Sequence, residues 1–296
     1  MAQQALPARE ARLGRALGAD ASGAAPHAVV LLLPGGGMEH SARRRSAVAA
    51  AAVRPLARRL VRSAQQGEPE TSLVAHVVHY RYRGWNGEAA HPANDAEWAV
   101  AEVVRRYGDV PVCLVGIDVG ARAALRAAGH PMVTSVLALS LWLPGSAGRA
   151  PGDSGTPGTP GTPGSGARNG SGTGAGHRHP AAGAAAPEQE PVRQLIGRQV
   201  LFVHGTDDEH TDPELSYRLA ERAKKANPDV CRFEVHTDGH RLHQHNAEVA
   251  ALAENFVLGT VCGRDFARPL VDAMAAPPPL GLRMPLATGF GQSLRR

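Results

Sequence analysis

With 296 residues, 43% of them hydrophobic, the chain is long enough to bury one large core. Its net charge of +5 rests almost wholly on Arg, and with no recognition motif beside them Arg43, Arg44, Arg45, Arg54, Arg58, Arg59 and Arg62 read as a solvated helix face rather than a nucleic-acid patch. No run approaches the ~20 apolar residues of a membrane span, no N-terminal stretch resembles a signal peptide, and Cys113, Cys231 and Cys262 lack metal or redox spacing, so a cytoplasmic protein without nucleic-acid or membrane partner, cofactor or metal is expected.

Residues 1–26, broken by charges and glycines, are expected to form a disordered tail. The apolar run His27–Leu33 then predicts a buried strand that ends in Pro34-Gly35-Gly36-Gly37. A helix is predicted over about Arg44–Ala64, a strand over Leu73–Tyr80, and a helix over Asn94–Tyr107 with Asn94 and Glu97 as a capping box. Next come a strand at Pro111–Val115 and the segment Gly116-Ile117-Asp118-Val119-Gly120, which runs straight into a helix former at Val119–Ala128. A further strand is predicted at Ser135–Leu141.

From Gly145 to Gln189 the composition changes to Gly, Ser, Thr, Pro and Ala, with a Gly-Thr-Pro repeat and no aromatic residue. Ordering such a stretch would cost chain entropy without burying apolar surface, so 145–190 reads as a disordered insert. Beyond it follow a strand at Val200–Val203, a helix at Pro213–Ala226 capped by Asp212, a strand at Arg232–Val235 and a helix at Leu242–Val257. Residues 259–296, with three consecutive prolines, are expected to form a weakly ordered tail. Strands alternating with helices over 27–144 and 191–258 argue for a mostly parallel sheet flanked by helices.

The strand, tight turn and helix around Asp118 resemble the nucleophile elbow of the α/β-hydrolases, where the central residue is usually Ser. Gly-x-Asp-x-Gly also suits an ordinary helix N-cap, so the other motifs matter. Val200-Leu201-Phe202-Val203-His204-Gly205-Thr206-Asp207-Asp208 resembles the segment that carries the triad acid; its spacing points to Asp208, with Asp207 as the alternative. Phe233 to His240 ends a strand in Gly-His and resembles the segment of the triad histidine, His240, in the family's order of nucleophile, acid and histidine. His236, His240, His243 and His245 raise a metal site, but no matching carboxylate or thiolate cluster accompanies them. The glycine run after the first strand would supply an oxyanion hole through Gly35 and Gly36 together with the N–H of Val119. A phosphate-binding loop is the competing reading, but no Lys-Ser/Thr follows.

The resemblance covers about Pro26–Leu258 without the insert, which takes the cap position of the family. It implies an α/β-hydrolase fold and hydrolysis of a small-molecule substrate by Asp118, Asp208 and His240. Carboxylate attack suits saturated carbon rather than an ester carbonyl, and gives an alkyl-enzyme ester that a histidine-activated water cleaves, as in epoxide hydrolases and haloalkane dehalogenases. Two departures accompany that likeness: 145–190 has no tyrosine to protonate a leaving alkoxide, and Val119 stands where the dehalogenases commonly have tryptophan. The alternative is a catalytically degenerate paralogue serving as a binding or scaffold protein, with Asp118 kept as a helix cap. Tyr80, Tyr82 and Trp85 are the residues expected near the catalytic edge.

Overall fold

The computed structural model describes residues 9–18, 25–36, 47–66, 71–145 and 190–291. The expected insert lies outside them from 146 to 189, as do Gly37 and the predicted helix start at Arg44. The continuous apolar runs become strands because each is covered on both faces: β2 (Ala28–Leu33) is buried at every position. The elements in chain order are β1 (Arg12–Leu13), β2, α1 (Ala47–Ala52), α2 (Arg54–Gln66), β3 (Leu73–His79), α3 (His91–Tyr107), β4 (Val112–Ile117), α4 (Val119–Ala127) and β5 (Val133–Leu139). After the undescribed segment come β6 (Gln199–Gly205), α5 (Pro213–Ala226), β7 (Val230–Val235), α6 (Asn246–Cys262), α7 (Arg268–Ala275) and β8 (Met284–Pro285).

The strands form one sheet in the order β1-β3-β2-β4-β5-β6-β7-β8. All pairings are parallel except β1 with β3. Alternate residues of each strand feed two cores. Val29, Leu31 and Leu33 pack on the side of α3, α4 and α5, whereas Ala28, Val30 and Leu32 pack on the side of α1, α2, α6 and α7. The chain order reverses between β2 and β4, so the loops leaving their C-terminal ends diverge and open a crevice there. Pro34-Gly35-Gly36 and Asp118 both lie at that edge. No helix among the described residues is long and apolar enough to cross a membrane.

Three expectations are corrected. Part of the 1–26 tail is in the sheet: Arg12–Leu13 pairs with β3, and Leu17 bridges Ala75. Residues 259–296 are not a loose tail as far as they are described. Leu270, Ala273 and Leu282 are fully buried, and β8 extends the sheet beside β7. Arg232, itself buried, binds this segment by donating to the carbonyl of Leu282 at 3.0 Å, and also donates to Glu234 on its own strand at 2.7 Å. Local composition hid both ends because their order comes from pairing with distant strands. Finally, α3 begins at His91, ahead of Asn94, because Pro92 supplies the preset φ of a first helical turn; the Asn94 side chain donates to the Ala89 carbonyl instead of capping. The Asp212 cap stands, accepting from the Glu214 N–H at 2.9 Å.

Leu270→Ala and Leu282→Ala are each expected to cost about 2–5 kcal/mol through the cavity left behind. Urea unfolding checks this: both midpoints fall at unchanged slope, whereas a dispensable tail leaves them unmoved.

Candidate active site

One residue separates β4 from α4. To turn the chain in that space Asp118 adopts φ 57° and ψ −121°, a strained conformation for a residue with a side chain. The turn requires two flanking glycines: a Cβ on Gly116 would lie 2.2 Å from the Gly120 carbonyl oxygen, and one on Gly120 would lie 2.1 Å from that of Leu33. The Asp118 N–H donates to the Leu139 carbonyl at 2.9 Å, which ties the turn to β5.

The Asp118 side chain does not cap α4. It points to the glycine loop after β2, where the Gly36 N–H donates to Oδ2 at 3.4 Å, and the Val119 N–H also acts on the carboxylate. A Cβ on Gly35 would meet Oδ2 at 3.2 Å, so a bare backbone is what admits the carboxylate so close. Oδ1 is buried with no hydrogen-bond partner. Burial is the largest influence on this group and lifts its pKa from 3.8 to about 6, against the opposing pull of His240 and the two N–H groups.

Asp208 and His240 meet directly. Oδ2 of Asp208 lies 2.9 Å from His240 Nδ1 and accepts the Thr211 hydroxyl at 2.7 Å, while Oδ1 accepts the N–H groups of His210 and Thr211 at 2.8 and 2.9 Å. The hydrogen bonds from His204, His240 and Thr211 overcome burial and hold the Asp208 carboxyl far below the ordinary range. His240 moves the other way: burial disfavours its charge, but Asp208 and Asp118 outweigh that and raise its pKa. Asp207, the alternative acid, is exposed and takes the Thr206 hydroxyl at 3.0 Å. Asp118 and His240 act on each other through charge, with no hydrogen bond between them among the described residues. His245 lies 3.3 Å from Asp238, and His236 and His243 are exposed.

The aromatic neighbours are all committed elsewhere. The Tyr80 hydroxyl donates to the Pro34 carbonyl at 3.1 Å, and Tyr82 stands edge-on to His91. Trp85 lies under Arg122, whose guanidinium carbon is 3.9 Å from the ring centre and 5.3 Å from that of Trp142. Arg122 is buried and paired with Glu190 at 2.8 Å, and Arg126 joins the same carboxylate. A small cleft of about 10 Å³ beside the glycine loop is lined by Gly35, Gly36, Ala50, Val78, Tyr80 and Arg83, among others.

Sequence reasoning missed Thr211, His204 and the Arg122–Glu190 pair. His204 lies 3.1 Å from Asp208 Oδ2, and its position four residues before the acid was a usable signal. Glu190 borders a low-complexity stretch and carries no local mark of its role.

No protein-family model matches the sequence, and no curated protein matches it. Solved structures do match. The esterase PE8 aligns with a TM-score of 0.53 at 15% identity, over 84% of this chain and 99% of that one. The protein TT1662 from Thermus thermophilus aligns at 0.52 and 17% identity, over 81% and 91%. An esterase of Pyrococcus furiosus, Pf2001, aligns at 0.51 and 14%, over 80% and 83%. The chain has the α/β-hydrolase fold. At these identities the likeness concerns architecture, because one fold carries many chemistries and function resides in the site. Within the α/β-hydrolase architecture the strained turn of Asp118, the glycine loop and the Asp208–His240 pair occupy one edge of the sheet.

The buried carboxylate has a consequence for stability. A carboxyl whose folded pKa is raised favours the native state fully below the unfolded value of 3.8, and that contribution is lost as pH rises through about 6. Asp118→Asn, neutral at every pH, is therefore expected to be more stable than the parent at pH ~8 by on the order of 3 kcal/mol, with the gain vanishing below pH ~4. Thermal unfolding across that range checks it; a pH-independent difference would show that burial of the charge is not the cause.

Proposed function

We propose that the protein is a hydrolase that attacks a saturated carbon of a small molecule through Asp118, forming an alkyl-enzyme ester that His240, oriented by Asp208, then hydrolyses. The observation that carries this reading is the occupant of two of the three N–H groups expected to form an oxyanion hole, those of Gly36 and Val119. They face the Asp118 carboxylate itself, so they serve an oxyanion that develops on Asp118 rather than on a substrate carbonyl.

In the first step Oδ1, the oxygen without a partner, forms a bond to the substrate carbon, and the leaving group departs with the bonding electron pair. In the second, His240 removes a proton from water as the water oxygen adds to the Asp118 carboxyl carbon. The resulting oxyanion lies on Oδ2, beside the Gly36 N–H. Collapse expels the alcohol, which carries the former Oδ1, takes its proton from His240 and leaves the water oxygen in Asp118. Esterification also removes the Asp118 charge that helps to raise the His240 pKa, which shifts the ring toward its basic form.

The aromatic residues expected near Asp118 are engaged elsewhere: Tyr80 donates to Pro34, and Tyr82 and Trp85 are packed against His91 and Arg122. That favours a leaving group that departs as a stable anion, such as halide, over an epoxide oxygen that needs a proton. One observation favours a second reading as a binding protein without turnover: Asp118 is only 8% exposed.

Single-turnover reaction with a panel of short haloalkanes in 18O-water tests the proposal. Heavy oxygen should appear in the Asp118 peptide, and His240→Gln should accumulate the alkylated peptide. Label entering the alcohol directly, with Asp118 unlabelled, excludes the covalent route, and absence of any adduct across the panel favours the binding role. The alkylation rate should rise about tenfold per pH unit below the Asp118 pKa of about 6 and level off above it. Asp118→Ser should exchange this reaction for hydrolysis of activated esters, because a serine side chain leaves both N–H groups to the substrate carbonyl.

A further inference from the structure

We propose that His204 is a positioning residue of this site: it shares the Oδ2 atom of Asp208 with His240 and sets how strongly that atom holds the His240 imidazole. The inference rests on reading Asp208 and His240 as acid and base, but it concerns the charge on one oxygen and is testable without turnover.

His204 is on β6, four residues before Asp208, and is buried. Its Nε2 lies 3.1 Å from Asp208 Oδ2 and 3.1 Å from the Thr211 hydroxyl oxygen. Its Nδ1 is buried without a partner. Burial disfavours the charged ring and lowers its pKa, so the ring carries one hydrogen. The Thr211 hydroxyl has its hydrogen directed to Oδ2 at 2.7 Å and has none to give His204. Placing the ring hydrogen on Nδ1 would bury an unmatched donor and leave Nε2 facing two acceptors. The hydrogen therefore belongs on Nε2, and the buried Nδ1 keeps a lone pair.

Oδ2 thus receives three donors: the Thr211 hydroxyl, the His204 Nε2–H and the His240 Nδ1–H. Oδ1 is occupied by two backbone N–H groups, so the carboxylate cannot rotate away from this set without losing them. Each donor on an anion draws part of its charge. His204 consequently competes with His240 for one oxygen, and a neutral ring in that place makes the Asp208–His240 contact weaker than the same pair would be alone. The other groups acting on His240 are Asp118 and Arg241 through charge, His210 stacked at 5.2 Å between ring centres, and the Thr211 oxygen at 3.5 Å. Arg232 acts on His204 through charge and also opposes its protonation.

The experiment is an NMR titration of the His240 ring in the parent, His204→Phe and His204→Gln. Phenylalanine keeps a ring and removes the donor, so the His240 pKa should rise by about half a unit or more. Glutamine restores an N–H and should bring the value back toward the parent. A merely structural His204 predicts the opposite, because a loosened Asp208 loop releases His240 toward the ordinary histidine value. An unchanged or lowered pKa in folded His204→Phe overturns the proposal. Should that variant not fold, the parent still decides: ring 15N shifts should show His204 neutral with its hydrogen on Nε2 from about pH 7 to pH 9, and a hydrogen on Nδ1 or a titration in that interval overturns it. Neither readout uses a substrate, so an inactive protein would count against the hydrolase reading and leave this one to its own result.

Discussion

The Asp118 carboxylate is held by backbone N–H groups on one side and left without a partner on the other, at a point where the chain has no freedom to move it. Three close approaches produce that situation. Gly116 and Gly120 bring the turn against its own carbonyls and that of Leu33, and Gly35 leaves room for the carboxylate itself. The cost of the conformation is borne by a sheet whose strands are buried on both faces, so strain at one residue is small beside the packing that surrounds it.

Around this anion the charges are arranged with opposite logic. Asp118 is short of donors and its ionisation is opposed, whereas Asp208 has more donors than a carboxylate usually finds and stays ionised. Between them His240 is pushed toward its charged form by both. Two carboxylates of one residue type thus take different roles because of their surroundings, a pattern familiar from acid–base sites. The Arg122–Glu190 pair holds the adjacent architecture: Arg122 on α4 touches Trp85 before β4 and Trp142 after β5, and is joined to Glu190 ahead of β6. Removing Glu190 would take the carboxylate away from the buried Arg122.

Much of the sheet could be read from short β-branched runs because burial on both faces imposes a continuous apolar pattern. The residues of the candidate site were legible for a related reason, since each lies in the turn that follows a strand and has a glycine close by. Asp208 and Asp207 stood side by side with no local distinction; Thr211 and the N–H groups around Asp208 separate them in space. The terminal segments misled in the other direction. Leu13 and Leu282 sit in polar or proline-rich company, yet one packs beside the core and the other is buried within it.

By itself the sequence determined the alternation of strands and helices, the sharp turn at Asp118 and the order of the three candidate residues, because these follow from local periodicity and from glycine spacing. Only the tertiary structure decided what those residues face. Whether Asp118 caps its helix or turns to the glycine loop depends on the distance between β2 and β4. Which carboxylate holds His240, and that His204 shares it, depends on a contact between the loops after β6 and β7. Protonation follows from burial and from partners far apart in the chain, and these exist only once the sheet has brought the loop ends together.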